Sequence, residues 1–273
     1  MTAAPGAVLV SGGTYGIGRA ISLRLARGGW PVLAFGLEAR QPSSVAENAI
    51  PSLLAEAAAE GLPLAAIEAD VSEEADVARA ADAALARFGA IGAVVHNAAI
   101  GPLGTVLDTP PALWDRIHAV NLKGAYLLAR AALPHLVSRG GGAIVLIGSG
   151  AGWGKPNMAA YAASKGGLFA LAAALAYDHF HQRVRVNTVV PGGGGIVSGM
   201  SLGRVGGDPA RLGRGAPGSA AGRPVRGEDV AEAVAFLLSP AAETISGTIL
   251  DVGCFAHQGG PIPPAPSAQG ASP

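Results

Sequence analysis

A short apolar run, Ala7-Val-Leu-Val10, passes straight into Ser11-Gly-Gly-Thr-Tyr-Gly-Ile-Gly18 and then into a helical pattern over Arg19–Arg27. Strand, glycine-rich turn and helix in immediate succession form an arrangement suited to a dinucleotide phosphate. Glycine lets backbone approach the phosphate, and the free N–H groups and dipole of the helix stabilise its charge. Alone, the same turn is equally a way of packing a strand tightly on a helix. The rest of the chain raises the first reading. Further strand-like runs stand at Pro31–Phe35, Leu64–Glu68, Ala93–His96, Ala143–Ile147, Val184–Val190 and Thr248–Val252. Helical stretches lie between them, at Ser43–Glu60 (interrupted near Pro51), Glu73–Phe88, Pro111–Ser138, Met158–Phe180 and Glu228–Leu238. This alternation predicts an α/β fold: one doubly wound parallel sheet of about seven strands with helices on both faces. Right-handed crossovers put every strand C-terminus on one edge, where ligands bind. Gly12–Gly18, Asp70, Asn97, Ser149 and Pro191-Gly192 all fall at such ends.

Chemistry concentrates between Ser149 and Lys165. Tyr161 and Lys165 are four apart in an Ala- and Leu-rich helical stretch, and residues at i and i+4 share a helix face. Free tyrosine titrates near ~10, and a neighbouring ammonium favours its phenolate. An isolated Tyr-x-x-x-Lys is usually a surface pair. Here the chain has four Tyr and only three Lys (Lys123, Lys155, Lys165), and a small hydroxyl residue, Ser149, ends the strand just upstream. That combination points to a site.

Composition narrows the setting. Half of the 273 residues are hydrophobic and 14% charged, which provides a large core and excludes a disordered main body. Net charge is zero, so nothing suggests nucleic acid or an anionic membrane surface. The single Cys254 excludes an internal disulfide framework and fits a reducing compartment. The N-terminus lacks a secretory pattern, and no uninterrupted apolar run reaches the ~18 residues of a membrane span. A cytoplasmic protein is expected. The six His form no ligand pattern, so no metal is expected. Gly192–Arg226, rich in Gly, Pro, Ser and Arg, reads as a lid over the site within a catalytic domain of residues 1–255. Residues 256–273, rich in Pro, Gly and Ala, read as a flexible tail.

Taken together, Ser11–Gly18, Asp70-Val71, His96-Asn-Ala-Ala99, Asn121, Gly148-Ser149, Tyr161-Ala-Ala-Ser-Lys165 and Pro191-Gly192 resemble the short-chain dehydrogenase/reductase family over residues 6–253. The resemblance implies a single-domain, Rossmann-like NAD(P)-dependent oxidoreductase that interconverts a secondary alcohol and a ketone. It implies Tyr161 as general acid/base, Ser149 on the substrate oxygen, Lys165 on the nicotinamide ribose and beside Tyr161, and Asn121 holding a relay water. It places the cofactor along Gly12, Thr14, Tyr15, Gly16, Ile17, Gly18, Leu37, Glu38, Asp70, Val71, Asn97, Ala98, Ala99, Tyr161, Lys165, Pro191 and Gly192. Asp70-Val71 would face the adenine. His96 stands where the family has an Asn that supports the sheet, and a structural role is expected of it. Glu38, two residues beyond the end of the second strand, favours NAD; Arg40 would favour NADP. The family's pairing through the Asn121 and Tyr161 helices implies a homo-oligomer, a dimer or more specifically a tetramer. Leu103, Trp153, Met158, Met200 and Leu202 stand where they would line a partly apolar pocket. The alternatives weighed are a dinucleotide-binding sensor or structural protein without turnover, and a sugar-nucleotide epimerase or dehydratase, for which the chain lacks a substrate domain.

Overall fold

The computed structural model describes residues 6–38, 50–192, 196, 200–201, 208, 211 and 219–253. Arg40, Leu202, most of the 192–226 segment and the 256–273 tail lie outside them. Strands β1 (Ala7–Ser11), β2 (Val32–Gly36), β3 (Leu64–Glu68), β4 (Ile91–His96), β5 (Gly142–Ile147), β6 (Val184–Pro191) and β7 (Ile249–Val252) form one sheet in the order β3-β2-β1-β4-β5-β6-β7. Every neighbouring pair is parallel. The order reverses between β1 and β4, the crevice where doubly wound sheets take ligands.

Alternation along each strand sorts side chains to two cores. Ala7, Leu9, Leu33, Phe35, Val94 and Ile144 face α3 (Glu74–Phe88), α5 (Gly124–Ser138) and α6 (Ala159–Asp178). Val8, Val10, Val32, Val95, Val145 and Val189 face α1 (Gly16–Arg27) and α7 (Gly227–Leu238). A smaller cluster, Leu23, Ala34 and Leu53, seats α2 (Ile50–Ala59) on the same side as α1.

Pro51 stands in the first described turn of α2, where a missing N–H costs nothing, and residues 43–49 of the expected stretch lie outside the described residues. The continuous helix expected over Pro111–Ser138 is three pieces: α4 (Pro111–His118), a π-helical turn over Ala119–Lys123, and α5. The turn itself contains no glycine or proline, and Gly124 closes it. Tertiary hydrogen bonds to Asn121 sustain it.

The approach of α1 to β1 tolerates no side chain. A Cβ on Gly18 would lie 1.9 Å from the Gly12 carbonyl oxygen and 2.5 Å from Asn97 Nδ2. Gly18→Ala must therefore displace backbone, and we expect a loss of about 1–3 kcal/mol. Chemical denaturation checks this; an unchanged midpoint would show that the turn is looser than its geometry implies.

Candidate active site

The residues singled out in the sequence gather at the C-terminal edge of the sheet. After β1 the chain turns through Gly12 (φ +60°) and Gly16 (φ +48°), a region of backbone space that glycine adopts freely. α1 then starts with no side-chain cap and no acidic residue in its first turn. Its unsatisfied N–H groups and positive dipole end suit an external anion, so this terminus fits a dinucleotide phosphate. Asn97 Nδ2 donates to the Gly12 carbonyl at 2.9 Å, which fixes the turn from the β4 side. Ala98 backs the same turn: a Cβ on Gly12 would come within 2.8 Å of its backbone. Ala99 follows, half-buried. Buried Thr14 abuts the end of β2, where a Cβ on Gly36 would lie 3.1 Å from its Oγ1. Leu37 and Glu38 leave the sheet there, both exposed. Tyr15 and Ile17 are half-buried, and burial raises the Tyr15 phenol above its ordinary value.

Asp70 is more constrained than a free adenine contact. Its Oδ1 accepts from the Ser72 N–H and hydroxyl at 2.9 and 2.7 Å, and its Oδ2 pairs with Arg116 at 2.8 Å. Burial alone would raise its carboxyl; the Arg116 and Ser72 hydrogen bonds outweigh that and hold it below the ordinary range. Arg116 is therefore a site-bordering residue that the sequence did not single out. The Val71 side chain is buried in the core, which leaves its backbone for a ligand. On the other side, Gly192 N–H donates to Val252 O at 2.8 Å, tying the Pro191-Gly192 turn to β7.

The catalytic candidates lie on three adjoining elements. Ser149 caps a 3-10 turn over Gly150–Trp153, its Oγ accepting from Ala151 N–H at 3.2 Å. Trp153 of that turn packs on Phe169 with ring centroids 4.5 Å apart. Tyr161 lies in the first turn of α6 and is buried, as is Lys165 one turn later. Lys165 Nζ stands 5.9 Å from the Tyr161 ring centroid and donates to the Ile147 carbonyl at 2.8 Å. Burial pulls its ammonium down from 10.5 to about 7. Asn121 sits in the π-turn with its side chain held by three hydrogen bonds. Its Oδ1 accepts from Ile100 N–H at 2.8 Å, and its Nδ2 donates to Ile100 O at 2.9 Å and Ser164 Oγ at 3.0 Å. Its main-chain carbonyl, which His96 Nε2 approaches at 3.1 Å, retains a second lone pair that suits a relay water. Buried Ser164 also donates to the Tyr161 carbonyl at 2.7 Å. Its signal was available: a small hydroxyl between Tyr161 and Lys165 on a helix made largely of Ala, Leu and Gly.

Leu103, Trp153 and Met158 border this edge. Leu103 and Trp153 are exposed and Met158 is half-buried. Gly104 N–H donates to Asn157 O at 2.9 Å, and Ala159 N–H to Gly104 O at 3.3 Å, so the loop after β4 is stitched to the start of α6. Among the described residues no group of three or more His, Cys, Asp or Glu is placed to hold a metal.

A phosphate-ready helix terminus and a Ser–Tyr–Lys set on one edge of a parallel sheet define a dinucleotide-dependent oxidoreductase site. A family model described as enoyl-(acyl carrier protein) reductase matches residues 12–254. The chain is 37% identical to 2-(S)-hydroxypropyl-CoM dehydrogenase 3 of Xanthobacter autotrophicus, over 93% of this chain and 95% of that one. It is 39% identical to the same organism's inactive 2-(S)-hydroxypropyl-CoM dehydrogenase 2, over 68% and 82%. Among solved structures, an actinorhodin polyketide ketoreductase variant with NADPH superposes with TM-score 0.81 at 26% identity, over 93% and 97% of the chains. A 3-ketoacyl-(acyl-carrier-protein) reductase from Brucella melitensis with NADH gives 0.76 at 30% identity, over 92% and 98%. The chain belongs to the short-chain dehydrogenase/reductase family and is an NAD(P)-dependent oxidoreductase of alcohols and ketones.

Lys165 yields a stability prediction. Its folded value, about 7, lies below its unfolded value of 10.5. The unfolded chain therefore holds more protons between those values, and stability rises with pH across that window. Below about pH 7 the cost of the buried charge is felt in full. At 1.36 kcal/mol per unit the ceiling is roughly 5 kcal/mol. Lys165→Met should raise the Tm of the ligand-free protein at pH 6, with the gap closing toward pH 10. A gap independent of pH would mean that Lys165 is not desolvated as its burial indicates.

Proposed function

We propose that Tyr161 is the general acid/base of a secondary alcohol/ketone oxidoreductase, with Ser149 and Lys165 as its partners. The observation that carries this is the buried Tyr161–Lys165 pair, one helical turn apart, beside a serine at the end of β5. In reduction, the Tyr161 hydroxyl gives its proton to the carbonyl oxygen; in oxidation it takes the proton back. The Ser149 hydroxyl hydrogen-bonds the same oxygen and orients it. Lys165 spends one N–H on Ile147, which leaves two for the hydroxyls of the nicotinamide ribose, while its charge favours the phenolate. Asn121 serves the proton relay through its carbonyl. The nicotinamide, when bound, supplies or accepts the hydride. Leu103, Trp153 and Met158 favour a partly apolar substrate, in keeping with the ketoreductase and dehydrogenase names of the relatives. Against a binder without turnover stands the presence of Asn121, Ser149, Tyr161 and Lys165 together, although one relative is named as inactive. Tyr161→Phe should lower kcat at least a hundredfold while dinucleotide still binds. Near-normal kcat in that variant would overturn the mechanism.

For the cofactor we favour NAD. Glu38 emerges beside the glycine turn, where a carboxylate accepts from the adenosine ribose and repels an added phosphate. The two solved relatives carry NADPH and NADH, so the fold accommodates either. Glu38→Ala should lower kcat/KM for NAD at least tenfold relative to NADP. An unchanged ratio would remove Glu38 as the selector.

A homotetramer is the proposed assembly. A groove of about 510 Å³ runs between α5 and α6, lined by Tyr126, Ala129, Leu133, Val137, Leu171 and Leu175. By length and composition α6 would also suit a membrane span, but one face of it is packed in the core. Its outer face is then apolar because a second copy covers it. Exposed Phe236 on α7 and Ile249 on β7 offer a second contact. Light scattering should give four chains; a monomer at micromolar concentration would refute this. The single cysteine makes the cytoplasm the proposed location, which cell fractionation checks.

A further inference from the structure

The fold carries a buried hydrogen-bond chain whose members all donate in one direction. It begins at the cofactor turn, where the N–H groups of Asn97 and Ala98 approach Ser11 Oγ at 3.3 and 3.4 Å. Ser11 Oγ lies 3.0 Å from His96 Nδ1, and His96 Nε2 lies 3.1 Å from the Asn121 carbonyl. A carbonyl only accepts, so Nε2 carries the proton, Nδ1 accepts, and the Ser11 hydroxyl donates to it. From Asn121 the chain continues through Nδ2 to Ser164 Oγ at 3.0 Å, and from Ser164 to the Tyr161 carbonyl at 2.7 Å. Ser11, His96, Asn121 and Ser164 are each at most 1% exposed, so water does not substitute for any link. Consecutive donors in a low-dielectric interior polarise one another and resist piecemeal breakage.

His96 is the link that fixes the direction. Its ring is wedged in place: a Cβ on Gly124 would meet His96 Cε1 at 3.3 Å and Val71 at 2.9 Å. Burial, together with repulsion from Lys165, draws the imidazole down to about 3, which favours the neutral ring. One tautomer then serves both neighbours.

We propose that His96 is a positioning residue for hydride transfer: it joins the cofactor turn at Ser11 to the Asn121 carbonyl, and through Ser164 to the helix carrying Tyr161 and Lys165. This goes beyond the support of the sheet expected from the sequence, and it rests on the reading of Tyr161 and Lys165 as the catalytic pair. His96 is buried beneath the site, so it acts through Asn121 rather than on a ligand.

The test uses the full-length chain with NAD or NADP, whichever it turns over. A glutamine amide nitrogen falls where Nε2 lies and can donate to Asn121, whereas leucine can donate nothing. His96→Gln should keep kcat within about threefold. His96→Leu should lose at least tenfold in kcat with dinucleotide Kd changed less than threefold. Should His96→Leu fail to fold, Ser11→Ala takes its place; it frees the tautomer and should lower kcat three- to tenfold at constant Kd. Hydrogen exchange supplies a readout that does not depend on turnover. Dinucleotide binding should protect the amides of residues 159–165 in the parent and in His96→Gln, and much less in His96→Leu or Ser11→Ala. Full kcat and full protection in the disrupting variants would overturn the proposal, as would absence of protection in the parent. A parent that binds dinucleotide and shows the protection but oxidises or reduces nothing would instead count against the catalytic reading.

Discussion

The ammonium of Lys165 is fully buried and holds one hydrogen bond to protein, to the Ile147 carbonyl. Placing such a charge out of water is among the most expensive acts in a fold, and much of the local architecture follows from it. The helix carrying Lys165 must lie close enough to β5 for the ammonium to reach a strand-end carbonyl. That closeness comes from missing side chains. A Cβ on Gly166 would lie 2.9 Å from the Gly152 carbonyl oxygen, one on Gly152 would lie 2.5 Å from the Phe169 ring, and one on Gly167 would lie 2.8 Å from Leu122. Glycine inside a helix costs up to about 1 kcal/mol relative to alanine. The pair Gly166-Gly167 accepts that cost in exchange for seating α6 against the serine turn on one side and the π-turn on the other.

The same requirement accounts for which parts were legible in the sequence. Strands whose two faces are both buried declare themselves as continuous apolar runs. Leu64–Glu68 matches its expected bounds, and the other strands differ by one or two residues at an end. The glycine turn, Ser149, Tyr161 and Lys165 were legible because each sits where a local pattern ends. What escaped notice depends on partners far away in sequence. The π-turn at Ala119–Lys123 has an ordinary helical composition, and it exists because Asn121 grips Ile100 and Ser164. Arg116 reads as one more charged helix residue until Asp70, 46 positions earlier, is placed beside it. His96 reads as a substitute for an amide in the sheet. Its span from Ser11 to Asn121 needs the ring orientation, which no spacing encodes.

Ion pairs play a lesser part. Arg24–Glu232, Arg27–Glu60 and Arg130–Glu74 tie neighbouring helices at the surface, where solvent screens them and each contributes little. Arg223 differs in geometry, gripping both oxygens of Asp229 at 2.7 Å where the chain enters α7. Asp229 also accepts from the Arg226 N–H, so the entrance to this helix has one defined path. Gly227 then passes close to α1, where a Cβ on it would lie only 3.2 Å from Ala20 Cβ, so α7 reports on the position of the cofactor helix.

The π-turn also constrains how this chain can change length. A wider turn holds one residue more than the α-helix it interrupts, and each residue of an α-helix advances the face by about 100°. Deleting one residue from 119–123 would close the turn to ordinary α-helix and leave the phase of α5 nearly unchanged, so Leu127, Leu128 and Leu136 would stay in the core. What would be lost is the widening that seats Asn121 against Ile100 and Ser164. A lineage built on this chain can shed one residue here and keep its helix, but the Asn121 seat goes with it.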